Sequence, residues 1–149
     1  MNIAVVILNW NGRKMLEQFL PSVTACSAPA EVVIADNGSS DDSLTFLATR
    51  YPELRVIALD RNYGFAEGYN RALAQIDADY YVLLNDDVEV TPRWIEPVVE
   101  LLEQTPDAAA AQPKMLMYKR RDMFEYAGCA GGYIDRYGYP FCRGRLFDS

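Results

Sequence analysis

Ile3-Ala4-Val5-Val6-Ile7-Leu8, followed by Asn9-Trp10-Asn11-Gly12, is the stretch that decides the fold. The apolar run does not alternate, so it does not describe a strand with one wet face. It describes a strand buried on both faces, as inside a parallel sheet covered by helices. The polar break that follows places a loop at the strand's carboxyl end. Outward from there the rhythm repeats. Met15, Leu16, Phe19, Leu20 and Val23 recur at three- and four-residue spacing, predicting an amphipathic helix that Pro21 kinks or ends. Residues 31–35 are a second strand, and the loop 36–42 ends in residues that cap a helix with Leu44, Leu47 and Ala48 on its buried side.

A third strand at 54–59 leads through Asn62-Tyr63-Gly64-Phe65 into a helix running to about residue 76. Residues 80–84 form the fourth strand, closed by Asn85-Asp86-Asp87. Thr91-Pro92 then reads as N-cap and first residue of a helix whose apolar face is Trp94, Ile95, Val98, Val99, Leu101 and Leu102. A fifth strand falls within 108–117. The alternation predicts an α/β fold, a mostly parallel sheet with helices on both faces. From Tyr118 tyrosine, glycine and arginine take over, with turn signals at Gly131-Gly132 and Tyr137-Gly138-Tyr139-Pro140. Residues 1–149 are expected to form one domain, an α/β core over 1–117 and a strand-and-loop extension over 118–149.

Composition narrows the function. The 149 residues carry 14 Lys+Arg against 21 Asp+Glu, a net charge of −7, which argues against nucleic acid as a partner. The chain has no histidine, which removes Ser-His-Asp and Cys-His catalysis and every His-ligated metal site. Cys26, Cys129 and Cys142 are too few and too scattered for a zinc cluster or disulfide framework. A Cys129–Cys142 pair fits a hairpin, but reduced thiols suit the expected cytoplasmic location better. No apolar run is long enough to span a bilayer, and the N-terminus lacks the features of a secretory signal.

In open parallel α/β sheets, ligands bind at the carboxyl ends of the strands. Four polar clusters fall there: Asn9-Trp10-Asn11, Asp36-Asn37, residues 60–62, and Asn85-Asp86-Asp87. Asn85-Asp86-Asp87 carries the strongest chemistry. Mg²⁺ and Mn²⁺ take one or two carboxylates and complete their shell from phosphates and water. By themselves, two adjacent aspartates also serve simply to turn the chain. Asp36-Asn37 can hydrogen-bond a base or ribose, although out of context it is first an Asx-turn and helix cap. Trp10 can stack on a base or lid the core. Gly64-Phe65-Ala66-Glu67-Gly68 brings backbone N–H groups to a helix start, where they can meet an anion or merely ease the turn. The dinucleotide and Walker fingerprints are absent, and Tyr118-Lys119-Arg120-Arg121 reads as a solvated face.

Four segments in order carry a family resemblance: Val5-Val6-Ile7-Leu8-Asn9-Trp10-Asn11-Gly12, Val33-Ile34-Ala35-Asp36-Asn37-Gly38-Ser39-Ser40-Asp41, Asn62-Tyr63-Gly64-Phe65-Ala66-Glu67-Gly68-Tyr69-Asn70, and Leu83-Leu84-Asn85-Asp86-Asp87-Val88. Together they resemble the inverting family 2 glycosyltransferases, especially the bacterial rhamnosyltransferase-like branch. The likeness weakens after about residue 117. It implies a nucleotide-diphospho-sugar transferase fold of the GT-A type, Rossmann-like, with a divalent metal (Mn²⁺ or Mg²⁺) as cofactor. By position, Leu8, Asn9 and Trp10 would flank the base, and Asp36 with Asn37 would bind base or ribose. Asn62, Gly64, Gly68 and Asn70 would shape the donor pocket. Asn85-Asp86-Asp87 stands at the family's Asp-x-Asp position, with Asn85 and Asp86 at the nucleotide and Asp87, with Asp86, at the metal. Asn85 departs from the consensus aspartate.

The resemblance also implies transfer with inversion from a dTDP- or UDP-sugar, rhamnose preferred, to a glycan or lipid-linked acceptor in bacterial polysaccharide synthesis. The parent protein would work beside the inner face of the membrane. The metal would stabilise the departing diphosphate, and a carboxylate base would deprotonate the acceptor. No residue matches that base. Asp122, Glu125, Asp135 and Asp148 are the only later carboxylates, and Tyr126-Ala127-Gly128 with Gly132-Tyr133-Ile134-Asp135 resembles the segment preceding the acceptor region. The chain is therefore expected to stop short of the acceptor half, leaving an apolar patch that favours a homo-oligomer. Two rivals stand beside this reading. One is a sugar-nucleotide-binding module without transfer activity. The other is a receiver-like α/β domain, which would want acidic residues where Asn9 and Asn11 stand.

Overall fold

The opening apolar run becomes strand β1 (Ile3–Asn9), with Ala4, Val5, Val6 and Ile7 no more than 2% exposed. The computed structural model describes residues 1–125 and 131–142. Two compact units divide the chain, Met1–Trp94 and Ile95–Ser149. In the first, β1 is followed by helix α1 (Arg13–Cys26), β2 (Glu31–Asp36), α2 (Ser43–Arg50), β3 (Arg55–Ala58), α3 (Phe65–Leu73) and β4 (Tyr80–Leu84). The four strands make one parallel sheet in the order β3-β2-β1-β4.

That order fixes where the helices lie. From β1 to β2 to β3 the chain steps across the sheet in one direction, and from β3 to β4 it returns past β1. Right-handed crossovers therefore put α1 and α2 on one face and α3 on the other. On the α3 face, Tyr69, Ala72 and Ile76 pack in one cluster with Ala4, Val6, Val33, Ala35 and Ile57. Val5, Ile7 and Ile34 point the opposite way and are as deeply buried, as are Leu16, Leu20 and Val23 of α1 and Leu47 of α2. Burying such aliphatic side chains stabilises the fold by about 1.5–3 kcal/mol each.

Four expectations need correcting. In α2 the buried positions are Ser43 and Leu47, whereas Leu44 and Ala48 are exposed. So short a helix buries a single i, i+4 row, and Arg13 from α1 lies over the next aromatic, Phe46, with its guanidinium carbon 3.7 Å from the ring centre. Thr91-Pro92 does not start a helix. Arg93 takes a left-handed φ of 61°, which a right-handed helix cannot continue. The helix α4 (Glu96–Gln104) begins later, with Ile95 as N-cap and Pro97 in its first turn. Leu101 also leaves the apolar face: two residues beyond buried Val99, it lies around the helix and is exposed. Pro21 sits inside α1, which continues to Cys26, and Met15 is partly exposed while its four partners are buried.

The second unit adds β5 (Leu116–Met117), paired antiparallel with β6 (Arg120–Phe124), and β7 (Gly132–Ile134), paired antiparallel with β8 (Pro140–Cys142). Cys26 is a free, half-buried thiol. The proposed Cys129–Cys142 pair lies outside the described residues, as do Tyr126-Ala127-Gly128 and Asp148. Among the described residues no helix is long and apolar enough to cross a membrane.

Candidate functional site

The strand order reverses at β1, making the gap between the carboxyl ends of β1 and β4 a topological switch point, where open α/β sheets form their ligand crevice. The pairings show the parting of the strands. β1 stays with β2 through Asn9↔Asp36, but its register with β4 ends at Ile7↔Leu84. Asn9-Trp10-Asn11-Gly12 then leaves one side of the gap and Asn85-Asp86-Asp87 the other.

Under this crevice lies a hydrogen-bonded floor. Asn9 is fully buried, and its amide donates to Asp36 Oδ2 at 2.8 Å and to Ser39 Oγ at 3.1 Å. Asp36 is equally buried, and its Oδ1 accepts from the Ser39 N–H at 2.9 Å. Asn37 continues the chain of contacts: its amide donates to Asn62 Oδ1 at 3.1 Å and the Gly64 carbonyl at 2.9 Å, while its Oδ1 accepts from Tyr63 N–H at 3.0 Å. Asn62 Oδ1 also receives the Gly64 N–H at 2.7 Å. Four loop residues read from the sequence as ligand contacts are thus first of all one another's partners. Burying polar groups in this way is tolerable because nearly all are paired. Asn9 Oδ1 is the exception, buried without a partner.

The rim is different. Trp10 is 56% exposed, held out by Asn11 in a left-handed conformation with φ 54°. Asn11 reaches the neighbouring loop, its Oδ1 accepting from the backbone of Ser40 at 2.7 Å and Asp41 at 3.2 Å. Asn85 and Asp87 are exposed and Asp86 half-buried. Burial, and then the charge of Asp87, push the Asp86 carboxyl above its ordinary range. Its Oδ2 lies against Gly12, where an added β-carbon would come within 2.1 Å. Gly12 is therefore required by close approach.

These carboxylates suit a divalent cation that brings its own partners. Among the described residues no group of three or more Asp, Glu, Cys or His side chains gathers. Asp86 and Asp87 are adjacent, acidic and in mutual repulsion, a donor set that a cation with bound phosphate oxygens relieves. They could hold Mg²⁺ or Mn²⁺ beside an anionic ligand.

Of the remaining predicted residues, Leu8 and Gly68 meet. A β-carbon on Gly68 would fall 3.1 Å from Leu8 Cδ1 and 3.0 Å from Asn37 Nδ2, so this glycine lets α3 close over the floor. Gly64, with φ 77°, is the N-cap of α3, and its N–H is already taken by Asn62. Asn70 is exposed. Sequence reading missed Gly12, Ser39 and Tyr69 as site residues. All three lie inside the quoted motifs, but Tyr69 is hidden on the apolar face of a helix. Among the described residues no base is identified either: Asp135 Oδ1 accepts from the N–H groups of Tyr137 at 2.8 Å and Tyr139 at 3.0 Å, the work of a turn.

The glycosyl transferase family 2 model matches residues 4–126. The N-acetylglucosaminyl-diphospho-decaprenol L-rhamnosyltransferase of Mycobacterium tuberculosis is 31% identical over 123 residues, 74% of this chain and 40% of that protein. The undecaprenyl-phosphate 4-deoxy-4-formamido-L-arabinose transferase of Serratia proteamaculans is 32% identical over 110 residues, 68% of this chain and 34% of that protein. The chain thus spans well under half the length of these relatives. Among solved structures, S. aureus TarS 1-349 in complex with UDP-GlcNAc superposes with a TM-score of 0.62 at 19% identity, covering 78% of this chain and 38% of that one. The mannosyltransferase PcManGT from Pyrobaculum calidifontis, in complex with GDP-Man and Mn²⁺, gives 0.59 at 21% identity, covering 76% and 33%. The fold is that of the GT-A glycosyltransferases.

Proposed function

Because the chain belongs to glycosyl transferase family 2, we propose that its β1/β4 crevice binds a nucleotide-diphosphate sugar with Mg²⁺ or Mn²⁺ against Asp86 and Asp87. The parent protein transfers that sugar, with inversion, to a glycan or lipid-linked acceptor at the inner face of the membrane. One observation carries this reading: an acidic pair at the switch point, one member pressed on a glycine of the β1 loop that also carries the exposed Trp10. The named substrates of the relatives support it, since both act on polyprenyl-linked acceptors by name. So do the UDP-GlcNAc, GDP-Man and Mn²⁺ held by structures of the same fold. A deoxyhexose such as rhamnose, carried on dTDP or UDP, is the preferred donor.

Each residue then has a task. Trp10 offers its face to the base. Asp36 and Asn37 keep the loops after β2 and β3 in register beneath it, and Asp87, with Asp86, holds the metal on the diphosphate. Titration calorimetry with uridine and deoxythymidine diphosphates, with and without Mn²⁺, tests the proposal. Metal-enhanced binding that disappears in Asp87→Ala is expected; binding indifferent to both would refute it.

A further inference from the structure

Tyr69 reaches β4 where it parts from β1. It is 3% exposed, and its hydroxyl donates to the Leu84 carbonyl at 3.0 Å. Its ring packs in one cluster with Ala4 and Val6 of β1, against which Leu8 also lies. Leu84 is the last β4 residue in register with β1 and immediately precedes Asn85-Asp86-Asp87; Leu8 precedes Asn9. The ring is set independently. It packs in the α3 cluster and meets Phe65 edge-on, with ring centres 5.0 Å apart. A rigid helix thus delivers one hydroxyl to the root of the crevice.

We propose that Tyr69 is a positioning residue for the metal–diphosphate site. Its ring, packed with Ala4 and Val6 of β1, and its hydroxyl, bonded to the Leu84 carbonyl of β4, fix the separation of the β1 and β4 ends and hence the placement of Asp86 and Asp87 against Asn9 and Gly12. The proposal rests on the sugar-nucleotide reading above for its ligand, though not for its structural half. A phenyl ring would fill the same space, so Tyr69→Phe removes the tie and leaves the packing. Both strand ends would still be covered by α3 but no longer held at one distance.

The test has a ligand-free arm and a ligand arm, both on the full chain. In the ligand-free protein, residue-resolved amide exchange of residues 85–87 is expected to quicken about tenfold in Tyr69→Phe, the loss of one hydrogen bond, with the melting temperature near that of the wild type. With ligand, the factor by which Mn²⁺ strengthens uridine diphosphate binding is expected to fall about tenfold, while uridine alone binds within about twofold of wild type. Unchanged exchange would overturn the tie between the strands. Faster exchange with an undiminished Mn²⁺ factor would overturn the positioning role. A wild type with no Mn²⁺ enhancement would instead sink the sugar-nucleotide reading, and is recognised without any variant.

Discussion

Gly12 and Asp86 meet so closely that only the missing side chain of the first leaves room for the carboxylate of the second: a β-carbon would sit 2.1 Å from Oδ2. The carboxylate can swing aside, but the buried Asn9 Oδ1 would lie only 2.5 Å from the same β-carbon, so Gly12→Ala disturbs both the acidic pair and the floor. The expected result is a lower melting temperature, together with Mn²⁺-dependent diphosphate affinity lower by about tenfold or more, as for loss of a charged ligand contact. Calorimetry beside thermal melting checks both halves.

Asp86 also predicts a pH dependence. Its carboxyl is held above the ordinary 3.8 in the folded state by burial and by Asp87. Between 3.8 and that raised value the folded protein binds the proton more tightly than the unfolded chain. Stability is therefore lost as pH rises through this window and stays lost above it. Asp86→Asn should raise the melting temperature at neutral pH, and the gain should vanish below pH 3.8 where both forms are neutral. A melting series from acid to neutral pH reads this directly, and an equal gain at every pH would contradict it.

The Asn9–Asp36 pair is fully buried, and its 2.8 Å bond joins the ends of neighbouring strands. Asn9→Ala strips a donor from Asp36 and should cost about 1.5–3 kcal/mol in urea denaturation. Asn9→Asp should cost more, since it sets two acidic groups face to face away from water. Should the aspartate prove the milder change, the floor is not the paired structure described above.

Asn11 separates backbone conformation from side-chain contact. Asn11→Gly keeps the left-handed φ easily but removes the acceptor for Ser40 and Asp41, whereas Asn11→Ala removes the acceptor and strains the backbone. The alanine variant should be less stable than the glycine variant by about 1–2 kcal/mol. Chemical denaturation of the two variants against wild type measures the difference.

The architecture was legible because the residues that decide it act locally and repeatedly. A non-alternating apolar run such as Val5-Val6-Ile7 leaves little choice but a covered strand, and the strand ends were placed within a residue or so. What failed depended on one backbone angle or one row of contacts. Nothing in Thr91-Pro92 announces that Arg93 turns left-handed, and Leu44 and Leu47 look alike until a neighbouring helix covers one of them. At the site, motifs named the right loops but not the direction each side chain takes. Asn9, Asp36, Asn37 and Asn62 are polar in sequence and bind inward in space. Tyr69 could not be singled out, because a helical apolar stripe gives no sign that one of its members carries a hydroxyl to a strand end.

The division between inward floor and outward rim bears on how such a crevice can change its ligand. Trp10, Phe65, Asn85 and Asp87 project from the scaffold, whereas the Asn9–Asp36–Asn37–Asn62 lattice holds the loops whatever the rim presents. Substrate choice and foldability are thereby written on separate letters of the sequence. A randomised library confined to Trp10 and Asn85, with Asp87 kept for the metal, should yield mostly folded proteins with altered appetites, and the same library on the lattice mostly unfolded ones.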